Sequence, residues 1–162
     1  MTTGKNGVSF YFFDFDDNVM FLTTPLLIKN TSTNEIEEIS TGEFALINPF
    51  LGKSGDWADW AIYKDTFKFF NDIPESQKGK RKEQYFVRDI QKAIESEDDK
   101  WQGPSWKLFQ GACSIQAPLA IITARGHSPE TIMEGIKVLY ENKLISNIPV
   151  NTKLEMIEDA LV

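Results

Sequence analysis

The segment Val8–Phe21, VSFYFFDFDDNVMF, restricts the possible folds more than any other part of the chain. A run of β-formers stops at Asp14, Asp16, Asp17 and Asn18, and apolar residues resume at Val19, Met20 and Phe21. The pattern predicts a strand over Val8–Phe13, and its continuous apolar run predicts burial on both faces. A buried strand that ends in two carboxylates, Asp14 and Asp16, gathers like charges that raise each other's pKa. Such a pair needs a cation, a basic partner or a chemical task. In open α/β sheets, ligands bind at the carboxyl ends of strands. The plainer reading, a solvated turn, is disfavoured by the apolar residues on both sides of the acids. A calcium loop is excluded, because its sixth position should be Gly and is Val19, and its twelfth should be Glu and is Pro25.

A second apolar stretch, Leu119–Ile122, ends at Thr123 and leads into Ala-Arg-Gly-His-Ser-Pro-Glu. Ser128 as N-cap with Pro129 at N1 predicts a helix to about Asn142, with Ile132, Ile136, Leu139 and Tyr140 inward. Leu26–Asn30 and Glu35–Ser40 read as a hairpin turned at Thr31–Asn34. Helical spacing of Trp57, Trp60, Ala61, Lys64, Phe67 and Phe70 predicts a helix over Asp56–Asn71. A second spans Gln84–Glu95, with Phe86, Val87, Ile90 and Ile94 on one face, and Trp106–Ser114 suits a short third. Ile148–Val150 is a strand candidate. Thr152 and Glu155 form a capping box for a last helix carrying Lys153 in its first turn.

The order is therefore strand, acidic turn, mixed insertion, strand, helix, short strand, helix. Two strands joined by a long crossover predict a parallel sheet, with both polar strand ends at one edge. Asp14, Asp16, Thr123 and Lys153 would meet there. A carboxylate pair with a hydroxyl and an ammonium suits phosphoryl transfer. The plain strand end is the lesser reading of Thr123, whereas Lys153 is equally a surface lysine. Arg125 and His127 could touch a phosphate or leaving group, but a lone His beside a helix start is more often a local hydrogen-bonding residue. The Trp57–Phe70 aromatic stripe reads as core or cap packing.

The 162 residues suit one domain with an insertion. A net charge of −7 speaks against a broad nucleic-acid footprint. The one basic cluster, Lys78–Lys82, reads as a solvated loop. Cys113 is the only cysteine, which excludes an intrachain disulfide and suggests a buried structural thiol. The start, MTTGKNG, lacks a signal-peptide apolar region, and no segment has transmembrane length, so a cytoplasmic location with no membrane partner is expected.

These pieces resemble the haloacid-dehalogenase-like (HAD) phosphohydrolases. YFFDFDDNVMF resembles their first motif, LAIITARG their second and NTKLEMIEDAL their third. DFDDNVMF and NTK look most like the class B acid phosphatases. The resemblance implies an α/β fold with a Rossmann-like parallel sheet, a β-hairpin flap and a mainly helical cap. The core would be 1–24 and 115–162, the flap and cap 25–114. It implies an Mg²⁺-dependent phosphatase acting on a small phosphorylated molecule through an aspartyl-phosphate. Asp14 would be the nucleophile and Asp16 the general acid, then base. Mg²⁺ would bridge the Asp14 carboxylate and the Asp16 backbone carbonyl, Thr123 would hold a phosphoryl oxygen, and Lys153 would neutralise charge. Asn18 stands where the family has Thr, and Asp17 where it commonly has Gly. The fourth motif, an acidic pair after a later strand, has no match: Glu158-Asp159 falls within the predicted last helix. The open alternative is a non-catalytic phosphate-binding or interaction domain of the same fold, or a fragment lacking that motif.

Overall fold

The computed structural model describes residues 2–3, 7, 9–78, 83–149 and 153–156, with backbone alone for 2–3 and 153–156. The fold is mixed α/β. Its strands are β1 (Thr2–Thr3), β2 (Ser9–Asp14), β3 (Leu26–Asn30), β4 (Ile36–Ile39), β5 (Trp60–Ala61), β6 (Leu119–Thr123) and β7 (Lys153–Met156). Its helices are α1 (Thr41–Ile47), α2 (Tyr85–Ile94), α3 (Trp106–Ser114) and α4 (Pro129–Glu141). One sheet has the order β1-β2-β6-β7, the other β4-β3-β5.

The pairing of β2 with β6 is parallel, as expected, with Tyr11 opposite Leu119 and Asp14 opposite Ile122. Their carboxyl ends therefore share one edge. Burial of β2 on both faces is not what the structure shows. Phe13 is buried, whereas Phe10 is 41% exposed and Phe12 60% exposed. Packing on one face only explains the difference: α2, α3 and α4 bury Phe13, Leu119 and Ile121 from one side. The residues alternate in a strand, so the other set faces outward.

The helices from Ser128 and over 84–95 form where the apolar periodicity places them. In α4 the Ser128 hydroxyl accepts from the Thr131 N–H at 3.2 Å, with Pro129 next. Ile132, Ile136 and Leu139 point inward, but Tyr140 is exposed, lying on the outer flank of the stripe. In α2 the buried residues are Phe86, Val87, Ile90 and Ala93, and Ile94 packs at the edge of the same core. Gly135 lets α2 and α4 approach closely, since a Cβ there would lie 2.6 Å from the Phe86 ring. Helices α2 and α3, which the sequence groups with the insertion, share this main core with β2 and β6. A second, smaller core gathers Leu26, Ile28 and Ile39 beneath Phe44, Trp57, Trp60 and Phe70.

Three expected elements are also absent or replaced. The segment over 56–71 is not an α-helix. It holds β5 and a 3₁₀ turn, Lys68–Phe70. Trp60 and Ala61 satisfy their backbone by pairing with Asn30 and Lys29 of the hairpin, which overrides the helical spacing of the aromatics. The last helix is replaced where it begins by β7, which runs parallel to β6 with Lys153 opposite Ala120 and Met156 opposite Thr123. The free edge of β6 offers unpaired backbone groups, and pairing with them outweighs a local capping signal. The rest of that expected helix lies outside the described residues. Ile148 and Pro149 are not in a strand, and Val150 lies outside the described residues. Conversely, α1 stands outside the elements expected from the sequence, although Ser40-x-x-Glu43 is a capping box. The Ser40 N–H donates to Glu43 Oε2 at 2.8 Å, and Ser40 Oγ accepts from the Glu43 N–H at 3.1 Å.

Candidate active site

The acidic turn is built by its apolar neighbours. The Phe15 N–H continues the ladder to the Ile122 carbonyl at 3.2 Å. The Val19 and Met20 N–H groups then both donate to the Phe15 carbonyl, at 3.0 and 3.1 Å, closing one tight turn. Phe15, Val19 and Met20 are buried, so they anchor the turn and leave Asp14 and Asp17 exposed. Asp17 sits at φ 59°, a left-handed conformation that Asp tolerates better than most residues. From outside, 101–105 clamps the turn. The Phe21 N–H donates to the Trp101 carbonyl, the Ser105 N–H to the Asn18 carbonyl, and Ser105 Oγ to Asn18 Oδ1. Gly103 permits this approach: a Cβ there would lie 2.2 Å from the Asn18 carbonyl oxygen.

The acids open onto a cleft of about 290 Å³ lined by Asp14, Asp16, Asp17, Thr24, Phe70 and Arg125, among others. Although Asp14 is exposed, the desolvation it does undergo raises its pKa, and the charges of Asp16 and Asp17 raise it further. A larger cavity, about 820 Å³, lies between the ends of α3 and α4 and holds none of these acids.

Behind the cleft is the residue that sequence reasoning left out of the catalytic set. Arg125 is 3% exposed. Its Nε donates to both oxygens of Asp16, at 2.8 and 3.0 Å, and its Nη2 lies 2.7 Å from Asp16 Oδ1. Nη2 also donates to Thr24 Oγ1 at 2.7 Å, and Nη1 stands 3.7 Å from Asp89 Oδ2. The guanidinium packs 4.8 Å from the Phe70 ring centroid and 5.3 Å from that of Phe86. Burial pushes the Asp89 carboxyl up, against the Thr24 hydroxyl and the Arg125 charge. The signal available in the sequence was position: Arg125 is two residues past the strand-end Thr.

Thr123 is brought to Asp16, though it is 107 residues away in sequence, and its hydroxyl donates to Asp16 Oδ2 at 3.2 Å. It also accepts from the Arg125 N–H at 3.2 Å, so this buried hydroxyl is committed to Asp16 and its own loop. The Lys153 backbone pairs with Ala120, three residues before Thr123, or roughly 10 Å along the strand. Its side chain lies outside the described residues. His127 turns away from the acids: Nδ1 lies 3.0 Å from Asp72 Oδ1, and Asp72 Oδ2 accepts from the Ser128 N–H at the start of α4. Burial lowers the His127 pKa. Burial works to raise that of Asp72, but the bonds from Ser128, His127 and Thr131 together hold it low.

Three carboxylates and one guanidinium give the cleft excess negative charge, so an anion would need a further cation there. Asp14 and the Asp16 carbonyl offer two hard oxygen donors. Magnesium keeps several waters and accepts such a hold. Among the described residues no three His, Cys, Asp or Glu side chains converge as a metal cluster. No family model, no curated protein and no solved structure matches this chain.

Proposed function

We propose that the chain is a magnesium-dependent phosphohydrolase with a HAD-like, Rossmann-type core, acting on a small phosphorylated molecule. The observation that carries this reading is the edge itself. Parallel β2 and β6 deliver Asp14, Asp16 and Thr123 to one place, and Asp16 and Thr123 are hydrogen-bonded. A tight turn followed by a hairpin, directly after the acids, further supports it.

In this reading an Asp14 oxygen attacks phosphorus. The bond from phosphorus to the leaving oxygen breaks as that oxygen takes a proton from Asp16, which must first release one of its Arg125 or Thr123 bonds to carry it. Water then attacks the aspartyl-phosphate, returning a proton to Asp16 and freeing phosphate from Asp14. Held by Asp14 and the Asp16 carbonyl, Mg²⁺ would offset the repulsion between Asp14 and the phosphate. The test is hydrolysis of p-nitrophenyl phosphate by the purified protein. Chelation should stop it and Mg²⁺ restore it, and Asp14→Asn should lower it by about 10³-fold or more. Full activity in Asp14→Asn would sink the mechanism.

The second reading is a phosphate-binding or interaction domain without turnover. It draws on one observation: Asp16 has both oxygens engaged by Arg125 and Thr123. Phosphate binding without hydrolysis in the same assay would favour it.

A further inference from the structure

We propose that Arg125 is the positioning residue of Asp16, and that Thr24 and the insertion, through Phe70 and α2, set its aim; this rests on the hydrolase reading above. A carboxylate that transfers a proton must be held at the right angle to the leaving oxygen, and small misplacements are costly. Apart from Arg125, the side-chain bond that holds Asp16 is the one from the Thr123 hydroxyl, and the Asp16 side chain is 31% exposed. Arg125 fixes it with a planar fork that meets both oxygens, a grip that a lysine point charge cannot reproduce.

The fork is itself fixed. Thr24 precedes the hairpin and accepts from Nη2, while also donating to Asp89 on α2. Asp89 faces Nη1, and the rings of Phe70 and Phe86 flank the guanidinium. The supports of the Arg125 fork therefore come from three separate stretches of chain, at Thr24, Phe70 and α2, all of them outside the β2–β6 pair. Supporting shells of this kind keep reactive groups within tolerance.

The test compares two monoesters. Phenyl phosphate has a poor leaving group that needs the proton from Asp16, whereas p-nitrophenyl phosphate needs it far less. The ratio of their kcat/KM values does not change with the fraction of folded protein, so a merely structural role leaves it unmoved. Arg125→Lys should lower the rate on phenyl phosphate at least about tenfold more than on p-nitrophenyl phosphate, within the usual range of acid catalysis. Thr24→Val should shift the ratio the same way, and Thr24→Ser, which keeps the hydroxyl, should restore it. In an Asp16→Asn background, Arg125→Lys should leave the ratio where Asp16→Asn put it. Equal loss on both substrates overturns the proposal. If Arg125→Lys fails to fold, the Thr24→Val ratio decides. Wild-type protein that hydrolyses neither ester sinks the hydrolase reading and this inference with it. Active wild type with unmoved ratios sinks the inference alone.

Discussion

His127 and Cys113 show what burial does to single residues. His127 is fully buried, and its folded pKa is depressed below the ordinary 6.5. Between the folded and unfolded values the unfolded chain binds more protons, so stability rises with pH there. The contribution is fully present above about 6.5 and is lost as pH falls toward the folded value. Asp72 is held below the ordinary carboxylate range and so keeps its charge between pH 7 and pH 5. The melting temperature should therefore drop from pH 7 to pH 5 in the wild type, and the drop should shrink in His127→Gln. An equal drop in both would contradict it. The Cys113 thiol is pushed up to about 12 by burial. A disulfide reagent at pH 8 should leave it unmodified in the native protein and react at once in denaturant, because the thiolate is the reactive form. Both residues were visible in the sequence, and the reading of Cys113 needed only its apolar neighbours. Arg125 stands two residues past the strand-end Thr123, but nothing local says that an arginine there will be buried against an acid 109 residues earlier.

The elements with strong local signals formed where their residues direct. Pro129 after Ser128 starts α4, and the acids terminate β2. The failures are elements decided by distant partners. Trp60 and Ala61 follow the hairpin edge, and Lys153–Met156 follows β6, in each case against a local helical pattern. The clamp of 101–105 on the acidic turn also escapes sequence inspection, because Gly103 carries no sign of what lies beside it. Gly103→Ala places a Cβ against the Asn18 backbone and should cost about 1–3 kcal/mol, read from urea unfolding. The loss should be accompanied by weaker catalysis, since the same turn carries Asp14 and Asp16. A variant as stable and active as wild type would contradict the clamp.

Across the whole molecule, two apolar cores of unequal size carry the fold. The larger joins β2, β6, α2, α3 and α4; the smaller sits under the β3–β4 hairpin. Segments with less buried apolar surface open at lower free energy. Amides of Leu26–Asn30 should therefore exchange with solvent faster than those of Leu119–Thr123; the reverse order would show that the hairpin is the more stable unit. Among the described residues no helix is long and apolar enough to cross a membrane. The central claim is that Asp14 becomes phosphorylated, and chemical trapping tests it most directly. The protein is mixed with a phosphomonoester and Mg²⁺, quenched in acid and reduced with borohydride, which converts an aspartyl-phosphate to homoserine. Mass spectrometry should find homoserine at position 14, and Asp14→Asn should show none. Phosphate release with an unmodified Asp14, trapping at another residue, or no hydrolysis at all would contradict the account.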